Sequence, residues 1–150
     1  MGYQARDTGM KKITFDLPIY TFQIDFVGIV SNIVYIEWME IGRMKLLETV
    51  GMPIHEIQED GIVPVLTHTS IDYKRPFRLG HTVHAELWVS ELRHTSATLE
   101  HRFYNQDGTL MAAGRQRGLF VKRETIRPHR LTSEERARFE PYLATDDASI

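Results

Sequence analysis

Two periodicities divide the chain. Between Ile33 and Val50 the apolar residues Trp38, Met39, Ile41, Leu46, Leu47 and Val50 recur at helical spacing, interrupted by Glu37, Glu40, Arg43, Lys45 and Glu48. These apolar positions cover more than one stripe, so the pattern predicts a helix buried on most of its sides. Gly51 is its natural stop. Gly42 lowers helix propensity, which predicts close approach of a neighbouring strand at that point. From Ile62 onward the period changes to two. Strands are predicted over 63–73, 82–92, 96–104 and 109–123, with a hairpin turn at "NQDG" (105–108). Gly114 and Gly118 in the last of them are expected as bulges or close-approach points. Ahead of the helix, "ITFDLPIYTFQI" (13–24) is rich in β-branched and aromatic residues and predicts a strand. Pro18 should place that strand at an edge or kink it. After the last strand, Thr132 and Glu135 have the spacing of a capping box and start a short helix.

One strand, one helix and four consecutive strands make an α+β chain, an antiparallel sheet of about five strands with the helix against one face. A sheet of this kind can curl around the helix, and its open edge invites a second copy. The 150 residues suit a single domain. Residues 1–10 and 145–150 read as loose ends.

Composition narrows the chemistry. The chain has no cysteine, which removes disulfides, thiolate zinc sites and a cysteine nucleophile. Its start has no secretory apolar core, and with the absence of cysteine this suits the cytoplasm. The longest apolar stretch carries Glu37, Glu40 and Arg43, so no membrane span is expected. A net charge of −2 with mixed signs lacks the basic face of a nucleic-acid protein. Seven histidines do not assemble a metal motif. "HEIQE" (55–59) has Glu59 where a zinc metalloprotease needs its second histidine, and His81 and His84 fall on opposite strand faces. No G-x-S-x-G nucleophile elbow, P-loop or dinucleotide fingerprint is present.

What remains is "DFVGIVSN" (25–32), a carboxylate and a glycine in front of the helix. Read alone, Asp25 is a helix cap. Read with its spacing, it is more. Asp25, Gly28, Ile29–Val30, Tyr35, Glu40 and Arg43, followed by Tyr73, Pro76 and Gly80, resemble the 4-hydroxybenzoyl-CoA thioesterase family of acyl-CoA thioesterases over about residues 13–128. The resemblance implies a hotdog fold, with Asp25 as nucleophile or as general base on water. It implies that the Asn32 backbone N–H polarises the thioester carbonyl, and that Gly28 lets the chain bend around the substrate. A helix N-terminus suits that task, because its amides are unpaired and its dipole is positive. Ser31 and Tyr35 stand at acyl-pocket positions, and His68 on the strand after the helix is a pocket-lining candidate or a partly buried structural histidine. Arg93 and His94, in the turn "ELRHTS" (91–96), fill the place of the basic turn that meets coenzyme A phosphates in relatives, across a subunit interface.

The resemblance further implies an acyl-CoA or acyl carrier protein substrate, a homodimer or tetramer, and no metal or other cofactor. Gln23, Ser31, Asn32 and His81 depart from the family pattern around the pocket. Gln23, Ser31 and His81 keep open a second reading, a non-catalytic acyl- or ligand-binding hotdog protein, against which the retained Asp25 weighs. A hotdog dehydratase fits less well, since Asn32 is no base. Glu40 and Arg43 are expected as an ordinary i, i+3 helix pair.

Overall fold

The computed structural model describes residues 10–144, and the two stretches read as loose ends lie outside this range except for Met10. Strand β1 (Ile13–Leu17) leads through a 3-10 turn at Thr21–Gln23 to helix α1 (Asn32–Thr49). Helix α2 (Ile54–Glu59), strands β2 (Ile62–Tyr73), β3 (Val83–Leu92), β4 (Ser96–Tyr104) and β5 (Leu110–Lys122), and helix α3 (Ser133–Phe139) follow. The five strands form one antiparallel sheet in the order β1-β3-β4-β5-β2.

Helix α1 packs on the inner face of that sheet along one stripe. Val34, Tyr35, Trp38 and Met39 meet Val83, Ala85, Phe103, Met111 and Ala112 toward its start. Leu46, Leu47 and Val50 meet Leu87, Val89, Leu99 and Phe120 toward its end. Gly42 lies where helix and sheet come closest. A Cβ built there would stand 3.4 Å from side-chain atoms of Leu87 and Phe15 and 3.6 Å from His101. Gly114 on β5 answers it, since a Cβ at that position would fall 2.7 Å from the Met39 methyl.

Three expectations need correction. The strand predicted over 13–24 ends at Leu17, because Pro18 has no N–H for the ladder and the chain turns instead. Helix α2 was not visible in the pattern, since its six residues are too short to show a period. Helix α1 is not buried on most sides: Ile33, Ile36, Ile41 and Met44 are exposed. One sheet can cover only one face of a helix, so the described residues leave the opposite, apolar face open.

The turns follow their residues. Asn105 Oδ1 accepts from the N–H groups of Asp107 (2.9 Å) and Thr109 (3.0 Å), closing the β4–β5 hairpin. Thr132 and Glu135 form the expected capping box, with bonds of 2.8 and 3.1 Å. The β2–β5 register shifts between Leu66 and His68, opposite Gly118 and Arg117, so Thr67 is the extra residue of a bulge. Pro64 is tolerated because β2 is an edge strand.

A polar chain crosses the apolar core beneath Gly42. His101 is 2% exposed and its Nε2–H donates to Gln116 Oε1 (3.1 Å), while Gln116 Nε2 donates to Thr69 Oγ1 (3.3 Å). Burial pushes the His101 pKa down to about 3 against the opposing Gln116 hydrogen bond, and the charges of Arg43 and Arg102 add to the depression. The unfolded chain therefore takes up this proton below about pH 6.5 while the folded chain stays neutral. Stability should fall as pH drops from 7 toward 4, with up to ~1.4 kcal/mol per pH unit from this one group. Urea melts at pH 7 and 5 should show a shallower pH slope in His101→Asn than in the native chain; equal slopes would exclude His101 as the source.

Candidate active site

The segment before α1 folds as a miniature hairpin. Ile24 and Val30 form an isolated antiparallel bridge. Inside it the Asp25 N–H donates to the Ile29 carbonyl (2.9 Å) and the Gly28 N–H to the Asp25 carbonyl (3.0 Å). Gly28 has φ +90°, a left-handed conformation that L side chains rarely adopt, so the turn requires glycine. On either side the chain is tied down. Val30 N–H donates to the Phe77 carbonyl and Ser31 N–H to the Gln23 carbonyl, both at 2.9 Å.

Asp25 does not cap the helix. Its Oδ1 accepts from Val27 N–H (2.9 Å) and, more weakly, from Ile29 N–H (3.4 Å). The carboxylate is thus held by its own turn. Its Oδ2 accepts from no group among the described residues. The helix N-cap is Ser31, six positions later, and the Ser31 hydroxyl makes no capping bond. Val34 N–H reaches back to the Ser31 carbonyl (3.0 Å), but among the described residues the N–H groups of Asn32 and Ile33 have no acceptor. Two open amides at the positive end of an 18-residue helix form a ready anion site.

Tyr73 is the residue the sequence did not single out here. Its hydroxyl donates to the Asn32 carbonyl (3.1 Å), fixing the end of β2 to the first residue of α1. The only sequence signal was its place in "YKRP", which was read as part of a spacing pattern and not as a contact. Tyr35 lies beneath this junction, 2% exposed, in edge or tilted contact with Trp38, Tyr73, Phe77 and Phe103. Burial raises its pKa, with a backbone hydrogen bond to Phe77 pulling the other way. A ring so enclosed supports the helix start from below and presents little surface to a ligand. Phe22, Phe26, Val27 and Ile33, in the same stretch of chain, are exposed.

Asp25 and Gly28 share one turn, Ser31 and Asn32 begin α1 directly after it, and the remaining candidates lie elsewhere. His68 is exposed and unpaired among the described residues. Thr69 points inward to Gln116, so strand alternation turns His68 to the outer face, away from α1. Its reading as a partly buried structural histidine is corrected accordingly. Arg93 and His94 lie beyond the far end of β3, whose start packs near the start of α1. Nine strand steps separate the two ends, about 30 Å. Arg93 pairs with Glu91, and His94 Nδ1 lies 3.4 Å from Arg130. Within one chain neither can reach a ligand atom next to Asp25. Among the described residues no group of three or more acidic or histidine side chains is placed to hold a metal, and no helix is long and apolar enough to cross a membrane.

Gly28→Ala should cost about 1–2 kcal/mol from left-handed strain alone, since no atom lies within 4 Å of the added methyl. Urea unfolding will measure it. A cost near zero would mean that the Asp25 turn tolerates another geometry.

Comparison with known proteins gives a consistent result. The model of the thioesterase-like superfamily matches residues 21–144. YneP of Bacillus subtilis, named as a candidate acyl-CoA thioesterase, is 26% identical over 113 residues, covering 75% of this chain and 82% of its own. The chloroplast acyl-acyl carrier protein thioesterase ATL3 of Arabidopsis thaliana is 26% identical over 136 residues, 89% of this chain and 70% of its own. Among solved structures, DHNA-CoA thioesterase from Staphylococcus aureus superposes with TM-score 0.79 at 20% identity, covering 87% of this chain and 88% of that one, which establishes the shared fold.

Proposed function

Since the chain belongs to the thioesterase-like superfamily, we propose that it is an acyl-CoA thioesterase with Asp25 as its catalytic carboxylate. One observation carries this reading. Asp25 is anchored through Oδ1 while, among the described residues, Oδ2 accepts from no group, and the chain then runs directly into the two amides of α1 that have no acceptor among those residues.

The carboxylate has two available routes. As a general base, Asp25 takes a proton from water as the hydroxyl adds to the thioester carbonyl carbon. As a nucleophile, Oδ2 itself adds, expels the thiolate, and leaves an acyl–aspartyl anhydride that water then cleaves. In either route negative charge develops on the carbonyl oxygen, where the amides of Asn32 and Ile33 are fixed donors. Those amides need no reorganisation, because Val30, Ser31 and Tyr73 hold the helix start in place. The proton that water loses ends on the departing thiol, so neither route calls on a metal or redox cofactor. Relatives named for coenzyme A and for acyl carrier protein leave both carriers as substrates to test.

The same reading assigns a second copy to the site. The open face of α1 and the neighbouring β2 edge expose Ile33, Ile36, Ile41, Met44, Val65 and Leu66. A homodimer or dimer of dimers covers such a surface, and it is the one arrangement in which Arg93 and His94 can meet a substrate held at another chain's Asp25.

Asp25→Asn should lower kcat for acyl-CoA hydrolysis by at least about 10²-fold while circular dichroism stays unchanged. Near-native turnover would remove Asp25 from the chemistry and turn the reading toward an acyl-binding protein. Sedimentation at micromolar concentration should give a dimer or tetramer, and a stable monomer would end the shared-site assignment. Arg93→Ala should raise KM for acyl-CoA about tenfold at nearly constant kcat, as expected for a phosphate contact made equally in ground and transition states. Equal loss of kcat on a short thioester without the nucleotide would place Arg93 in the reaction zone or the interface instead.

A further inference from the structure

The turn that holds Asp25 ends in an uncovered apolar tip. Phe26 and Val27 stand at its apex beside Gly28, and Phe26 is fully exposed. Just before the turn, Phe22 is 81% exposed, with its ring stacked on exposed Tyr20 at 5.3 Å. Scattered exposed apolar residues are ordinary. Three rings and a valine within the eight residues 20–27 form a patch, and patches of this kind mark a contact with another surface.

A basic loop is tied to the base of that turn. The Phe77 carbonyl accepts from Val30 N–H (2.9 Å), and the Tyr73 hydroxyl donates to the Asn32 carbonyl (3.1 Å). Between and just beyond these anchors come Lys74, Arg75 and Arg78. All three are exposed, and among the described residues their side chains have no ion-pair or hydrogen-bond partner. The loop backbone is held: Phe77 is buried, and the N–H groups of Lys74 and Arg75 donate to the Met111 carbonyl (2.9 and 3.0 Å). Arg78 N–H donates to His81 Nδ1 (3.0 Å), and the next residue, Leu79, adds an exposed apolar side chain. Three residue steps separate Val27 from the anchored Val30, about 10 Å of extended chain, which is close to the Debye length at physiological salt. Residues 20–33 and 73–82 carry these three cations against the one carboxylate of Asp25, a net +2 in a chain whose total is −2.

We propose that this end of the molecule docks on the surface of an anionic phospholipid bilayer, with Phe22, Phe26 and Val27 entering the headgroup boundary and Lys74, Arg75 and Arg78 meeting lipid phosphates. Charge and shape together select this occupant. An acidic protein would satisfy the cations, but it would need a pocket shaped to the protruding turn. A bilayer interface takes an apolar tip without a preformed pocket and gains from each nearby cation. The docking is peripheral and spans nothing. It does not depend on the hydrolysis reading, since contact with a bilayer changes no bond.

The test is co-sedimentation of the full-length protein with vesicles of phosphatidylglycerol and phosphatidylcholine in equal parts, against phosphatidylcholine alone. The mixed vesicles should bind it saturably and at least about tenfold more tightly than the neutral ones, and added salt should weaken that binding. Changing Lys74, Arg75 and Arg78 together to Gln should weaken it about 10²-fold, near fivefold for each cation removed. Phe22→Ser combined with Phe26→Ser should weaken it about tenfold or more. Phe26→Trp gives a direct reading. Its indole emission should move to shorter wavelength when mixed vesicles are added, against the constant background of buried Trp38 and Trp88. Absence of saturable binding of the native protein to mixed vesicles overturns the proposal. So does binding that survives the two serine changes, which leaves only the surface charge that an acidic protein would also meet. A lower sedimenting mass of the serine variant without lipid overturns it too, because the tip is then a contact between copies of this chain.

Discussion

The contact between one stripe of α1 and the inner face of the sheet is the constraint on which the rest of the molecule depends. Eight positions from Val34 to Val50 carry it, and Gly42 at its middle lets side chains of three strands approach the helix backbone. Because the helix lies this close, its axis is set by the sheet, and its two ends are set with it. The N-terminal end is placed beside the Phe77 carbonyl and the Tyr73 hydroxyl, which pin Val30 and Asn32. Free amides at a helix start are common; amides that cannot move are what polarising a carbonyl needs.

The opposite face of the helix shows what the same constraint leaves undone. A five-stranded sheet covers one side of α1, and the described residues supply no second layer for Ile33, Ile36, Ile41 and Met44. Edge strand β2 adds Val65 and Leu66 to this surface. A carboxylate at one end of a protomer and the Arg93 turn at the other are separated by the length of the sheet. In the proposed homo-oligomer, symmetric pairing of two copies turns this separation into proximity.

Polar groups inside the core give the packing its register. The chain from His101 through Gln116 to Thr69 joins β4, β5 and β2 under the helix, and each member is bonded. Such a network disfavours sliding of one strand past the next, because a slip by one residue would bury unpaired donors. Arg43 is the contrasting case. It stands nearby with its Nε unsatisfied, and the cavity it lines is apolar. The first network is complete among the described residues, and Arg43 Nε is not.

Much of this was legible along the chain. Period-two alternation placed β2 to β5, the helical run placed α1, and Gly42, "NQDG" and the Thr132–Glu135 pair performed the local roles their chemistry dictates. These features depend on neighbours in sequence or on an inside and an outside, and a pattern records both. The spacing from Asp25 to Arg43 likewise carried the resemblance to the thioesterases, and the superfamily match over residues 21–144 bears that resemblance out. What the sequence could not supply was what each side chain meets. Read alone, Asp25 was a helix cap, and only the folded turn shows its Oδ1 held by Val27 with Ser31 at the cap position. The exposure of His68, the enclosure of Tyr35, the bond from Tyr73 to Asn32 and the unpaired Nε of Arg43 all arise between residues far apart in the chain. A residue's type sets which bonds it can make. Which of them it does make is decided by the atoms that tertiary packing brings within about 3 Å.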